Sequence, residues 1–94
     1  MKHFDVRIYG SVQGVFFRHS AREKAEELDI KGFVRNEPDG SLYLEVEGEE
    51  KTLEKFIDWC HGGPDLARVD KIDIKEGELK NFEKFEIITY LSNL

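Results

Sequence analysis

The sequence predicts an α+β sandwich in which one sheet carries two helices on a single face. Phe4, Val6 and Ile8, and later Leu42, Leu44 and Val46, recur at every second position, the period of a strand with one buried side. Ala21, Ala25 and Leu28, and later Leu53, Phe56, Ile57 and Cys60, recur at the spacing of an apolar helix stripe. The two patterns alternate along the chain, and two helices suffice to cover only one face of the sheet.

Taken in order, the first strand spans about 4–9, with Asp5, Arg7 and Tyr9 on its other side, and Gly10 ends it. Residues 10–15 have no period and form a loop. A helix follows over about 18–29, and Gly32 restarts the chain as a strand over 33–37. Pro38-Asp39-Gly40-Ser41 is a turn, because Pro fixes φ and Gly accepts a left-handed conformation. The strand after it runs from Leu42, with Tyr43, Glu45 and Glu47 facing away from the apolar side, so the two runs form a β-hairpin. Gly48 breaks that strand. A second helix covers about 50–60, opens next to Glu49 and Glu50, and stops at Gly62-Gly63-Pro64. A strand over about 69–75 turns Ile72 and Ile74 inward, and Phe85, Ile87 and Thr89 mark a last strand ending near Leu91.

The order is therefore β-α-β-β-α-β with an extra C-terminal strand: a ferredoxin-like sandwich, its sheet antiparallel and both helices on one face. Residues 1–94 make a single domain, since a chain of 94 residues has no room for two self-supporting cores. That architecture hosts many unrelated activities, so function has to come from a site.

Composition narrows the field. The chain carries 14 Lys and Arg against 20 Asp and Glu, a formal charge of −6, which opposes bulk attraction to nucleic acid or an anionic membrane. No apolar run approaches the roughly 18 residues of a membrane span. Residues 1–5 lack the apolar stretch of a secretory leader. The single cysteine, Cys60, forms no internal disulfide, which fits a reducing, cytoplasmic setting.

Within this acidic chain, no Asp or Glu occurs from Val6 to Arg22, a stretch that holds Arg7, Arg18, His19 and Arg22. Arg18, His19 and Arg22 open the first helix while Glu26, Glu27 and Asp29 crowd its end, the reverse of what the helix dipole favours. Such an inversion makes sense if an anion sits at the helix N-terminus, where free N–H groups, the dipole and a guanidinium converge. Gly14 permits close backbone approach, so the amides of Gln13, Gly14, Val15, Phe16 and Phe17 form a candidate phosphate nest. Gly-Lys-Ser/Thr is absent between Gly10 and Ser20, which argues against a nucleoside triphosphatase.

The run Gly10-Ser11-Val12-Gln13-Gly14-Val15-Phe16-Phe17-Arg18 closely resembles the first signature of the acylphosphatases, Gly-x-Val-Gln-Gly-Val-x-Phe-Arg. Gly32-Phe33-Val34-Arg35-Asn36 is similar to their second signature, and Asp39-Gly40-Ser41, Gly48, Gly63-Pro64, Ala67-Arg68-Val69 and Phe85-Glu86-Ile87 continue the likeness over essentially the whole chain. The resemblance implies hydrolysis of the carboxyl–phosphate anhydride of acyl phosphates without metal or organic cofactor. It also implies that Arg18 binds the phosphoryl group beside the loop amides and that Asn36 positions the attacking water. These residue types suit the chemistry. Phosphoryl transfer through a loose transition state needs alignment and charge stabilisation more than acid–base groups. A guanidinium forks onto two phosphate oxygens, and an amide both accepts from and orients a water molecule.

Taken singly, Arg18 also fits an ion pair with Glu23 or a hairpin carboxylate, and Asn36 a residue bonded to the Pro38 turn. The two signatures together favour the site. His3, His19 and His61 have no metal-ligand spacing, and no metal is expected. Cys60 completes the stripe of the second helix, Trp59 beside it packs half-exposed, and Phe17 anchors the loop to the core. The charged runs 45–51 and 75–80 read as solvated surface.

The expectation is a free-standing, monomeric, cytoplasmic enzyme with a small acyl phosphate as substrate and inorganic phosphate as product ligand. A non-catalytic ferredoxin-like module that binds an anion or docks to a partner is the alternative; phosphate affinity without turnover would mark it. An RNA-binding domain would need salt-sensitive RNA affinity that the charge opposes.

Overall fold

In the computed structural model, which describes residues 1–89, Val6 and Ile8 are fully buried on one face of β1 (Lys2–Ser11). The chain continues through α1 (Phe17–Glu27), β2 (Lys31–Asn36), β3 (Leu42–Gly48), α2 (Glu50–Gly62), β4 (Arg68–Gly77) and β5 (Phe85–Ile88). These strands make one five-stranded sheet in the order β4-β1-β3-β2-β5. β3 pairs antiparallel with β1 and β2, and β4 with β1, while β5 lies parallel to β2. The sheet is thus mixed only through its additional C-terminal strand, whose expected end near Leu91 lies outside the described residues.

The predicted stripes build the core. Ala21 and Ala25 of α1 and Leu53, Phe56, Ile57 and Cys60 of α2 bury against Val6, Ile8, Val34, Leu42, Leu44 and Val46. Gly10 does not end β1. The register against β4 shifts between Tyr9 and Gly10, a bulge that carries the strand on to Ser11. Gly10 has φ +137°, and a Cβ there would collide with the Arg68 carbonyl oxygen, so the bulge requires glycine. Ile72 is half-buried, but Ile74 is 47% exposed although it pairs with buried Val6. As an edge strand, β4 has a neighbour on one side only.

The opposite face of the sheet departs further from expectation. Glu45 and Glu47, placed by sequence on solvated surface, are buried there with His3. His3 Nδ1 lies 2.7 Å from Glu47 and Nε2 lies 2.8 Å from Asp5 and 3.4 Å from Glu45. The segment after β4 folds over this group. The backbone N–H groups of Lys80 (2.5 Å) and Phe82 (3.2 Å) donate to Glu47, Lys80 Nζ reaches Glu45 at 2.7 Å, and the Phe82 ring stacks on His3. Local pattern shows that Glu45 and Glu47 face away from the helices; it does not show that a segment more than 30 residues later closes over them.

Candidate active site

The loop between β1 and α1 is held at both ends by apolar anchors. Val12 is buried, and Phe17 is buried edge-on against Trp59 with ring centroids 5.5 Å apart. Between them the backbone alternates in hand: Gly14 has φ +74° and Phe16, the α1 N-cap, φ +65°, with Val15 of ordinary φ in the middle. Alternation of this kind curls successive N–H groups around one point. The Ser20 amide bonds to the Phe16 carbonyl at 3.0 Å as the first turn closes, so the amides of Phe17, Arg18 and His19 have no acceptor within the helix. No side chain caps this end, and the first turn carries no acid.

Asn36 arrives from the other side as the last residue of β2, paired with Leu42. Its Oδ1 is buried without a hydrogen-bond partner, a costly state that native structures rarely leave without a reason. The turn beyond it is tightly tied. Glu37 and Ser41 bond across it at 2.9 Å, and Asp39 Oδ1 accepts from the Ser41 hydroxyl at 2.6 Å and its amide at 2.9 Å. Those two bonds from Ser41 hold the Asp39 carboxyl below its ordinary range. Arg7 bonds to both Glu37 and Ser41 at 3.2 Å.

Arg18 and Asn36 line one cavity of about 290 Å³. Gly14 and His19 also face it, and Val12, Phe16, Phe17 and Ile87 supply its apolar surface. Among the described residues Arg18 has no carboxylate within ion-pair distance; Glu23, its expected alternative partner, stands 3.7 Å from His19. Nor is Asn36 bonded to the Pro38 turn. That tie belongs to Gln13, whose Nε2 donates to the carbonyls of Glu37 and Ser41.

Sequence reading placed Gln13 in the loop for its backbone and did not find this side-chain role, nor the contribution of Ile87. No periodicity reports a bond from a loop to a hairpin turn 24 residues away. Of the remaining groups, Cys60 is buried, and burial pushes its thiol far above the usual range. On the opposite face of the sheet, His3, Asp5 and Glu45 bring ligand-type atoms within 4.8 Å of one another. They are bound to each other and to Lys80.

The acylphosphatase family model matches residues 4–87. The chain is 46% identical to the curated acylphosphatase of Archaeoglobus fulgidus over 83 residues, which cover 88% of this chain and 93% of that protein. The crystal structure of acylphosphatase from Bacillus subtilis superposes with a TM-score of 0.91 at 29% identity, covering 94% of this chain and 99% of that one. HypF from T. kodakarensis is similar at 36% identity and a TM-score of 0.79, over 93% of this chain but 12% of its own.

Proposed function

The chain belongs to the acylphosphatase family, enzymes that hydrolyse the carboxyl–phosphate anhydride of acyl phosphates, and on that premise we propose that Arg18 and Asn36 carry the reaction. The observation that carries this reading is that one cavity holds both side chains, with the Asn36 carboxamide oxygen buried and unpartnered.

The phosphoryl group sits in the cradle of amides from Gln13 to Phe17, at the positive end of α1, with the Arg18 guanidinium forked onto two of its oxygens. The free Arg18 side chain supports this, because no internal carboxylate competes for it among the described residues. Asn36 Oδ1 accepts a hydrogen bond from water and aims the water oxygen at phosphorus. As the O–P bond forms, the P–O bond to the acyl group breaks in line, and the carboxylate departs with the electron pair. Both protons of the water end on the phosphate, which leaves as dihydrogen phosphate. A carboxylate leaves readily without a general acid, and a loose transition state asks little of a base.

The reading extends to a single-domain monomer acting in the cytoplasm. One chain supplies the whole cavity, Cys60 is buried without a disulfide, and among the described residues no helix is long and apolar enough to cross a membrane.

Phosphate release from benzoyl phosphate tests the mechanism. Turnover persists in excess chelator, whereas Arg18→Gln lowers kcat/KM by about 10³-fold and weakens competitive inhibition by inorganic phosphate. Full turnover in Arg18→Gln overturns the reading.

A further inference from the structure

Arg7 lies on the sheet face away from the helices, yet its guanidinium reaches the turn that follows Asn36. Its Nη1 donates to Glu37 Oε1 and to the Ser41 hydroxyl, both at 3.2 Å. The other carboxylate oxygen, Glu37 Oε2, accepts from Arg35 Nε at 3.1 Å. One carboxylate is thus shared by two guanidiniums, one from β1 and one from β2. Tyr43 of β3 stands between them in register, paired with Arg7 on one side and Arg35 on the other. Arg7 lies 5.1 Å and Arg35 4.8 Å from the centre of its ring. Without the Glu37 charge, two cations would share that ring with no counter-charge from the turn.

This clamp brackets Asn36. Side chains alternate across a strand, so Arg35 and Glu37 fall on one face and Asn36 on the other. There Asn36 turns into the cavity, and because its buried Oδ1 has no partner, no bond to that atom fixes its aim. Its pose comes instead from the backbone, which the clamp holds from behind. Arg35 and Glu37, two residues apart, tie β2 only to its own turn. Arg7 ties the same carboxylate to β1, the strand that runs on into the cradle loop. We propose that Arg7 is a positioning residue, whose grip on Glu37 sets the direction in which the Asn36 carboxamide points. It touches neither the substrate nor the attacking water. The proposal rests on the reading that Asn36 aims that water.

The test follows benzoyl phosphate hydrolysis in the unaltered enzyme, Arg7→Ala, Arg7→Lys and Glu37→Gln, and repeats the first two changes in an Asn36→Ala background. Arg7→Ala lowers kcat roughly tenfold, and the isosteric Glu37→Gln does the same. KM and competitive inhibition by inorganic phosphate stay nearly level. Arg7→Lys keeps a cation beside Glu37 and recovers most of the lost kcat. In the Asn36→Ala background Arg7→Ala has almost no further effect, because the group it positions is gone. A general loosening of the fold would lower kcat equally in both backgrounds. An undiminished kcat in Arg7→Ala and Glu37→Gln, an equal loss with and without Asn36, or a matching loss of phosphate affinity overturns the proposal alone. If Arg7→Ala does not fold, Glu37→Gln carries the same comparison in both backgrounds. If Asn36→Ala turns over at the full rate, the water-aiming reading falls, and this proposal with it.

Discussion

The Gln13 side-chain amide donates to the Glu37 carbonyl at 2.8 Å, joining the loop that carries the candidate phosphate cradle to the residue next to Asn36. A second bond from the same nitrogen reaches Ser41 at 2.9 Å, so one amide bridges both sides of the hairpin turn. The two halves of the proposed machinery come from separate elements, and this tie sets their spacing.

Gln13→Ala leaves the Glu37 and Ser41 carbonyls without that donor, and we expect a loss of about 1–2 kcal/mol in stability. Its effect on catalysis should exceed its effect on folding. Misplacing a water-positioning group by a fraction of an ångström lowers kcat by roughly 10–100-fold. Phosphate inhibition, which in the proposed mechanism rests on the backbone cradle and Arg18, should weaken much less. Steady-state kinetics with a phosphate inhibition series separates the two, and equal loss of kcat and phosphate affinity would argue that Gln13 merely holds the loop together.

Asn36 should trade stability against activity. Its buried Oδ1 has no partner, so Asn36→Ala removes an unsatisfied acceptor and should raise the unfolding free energy by about 1 kcal/mol. The same substitution deletes the group proposed to aim water and should lower kcat by roughly 10²-fold or more, with KM little changed. Thermal denaturation and turnover on one preparation check both halves. An alanine variant that is less stable and fully active would mean that the carboxamide serves the fold.

The strands and helices were legible because their apolar residues obey simple periods, and the candidate site was legible because two signatures put Arg18 and Asn36 on elements that this topology brings to one cavity. Side-chain bonds between distant segments were not. Gln13 bridges a turn that local pattern treats as independent, and Glu45 and Glu47 look solvated until Lys80 and Phe82 fold over them. Gly10 misleads for a related reason: it reads as a strand end, yet close approach of the Arg68 carbonyl makes it a bulge within a longer strand.

The His3 group makes stability depend on pH. Burial pushes the His3 pKa down, but Glu47, Asp5 and Glu45 together outweigh it, so the pKa lies above its ordinary 6.5. Both ring nitrogens face carboxylate oxygens, at 2.7 and 2.8 Å, and only the imidazolium donates to both. For Glu47, burial acts upward, but the amides of Lys80 and Phe82 and the His3 ring prevail and hold the pKa below its ordinary 4.5. Stabilisation from a raised His3 is complete below pH 6.5 and is lost as pH climbs through the folded-state value. Stabilisation from a lowered Glu47 is complete above pH 4.5 and is lost as pH falls through its folded-state value. The lock is therefore tightest between pH 4.5 and 6.5. Lys80, whose Nζ touches Glu45, keeps its charge throughout this window, so His3 sets the upper edge. His3→Gln should cost about 3 kcal/mol near pH 6, because it leaves the buried Glu47 carboxylate without its cation. Activity should survive, since the group lies on the sheet face opposite the cavity. Melting temperatures measured from pH 5 to 9 should decline above pH 6.5 for the unaltered chain and stay nearly level for His3→Gln. Parallel curves for the two proteins would assign the pH dependence to other groups.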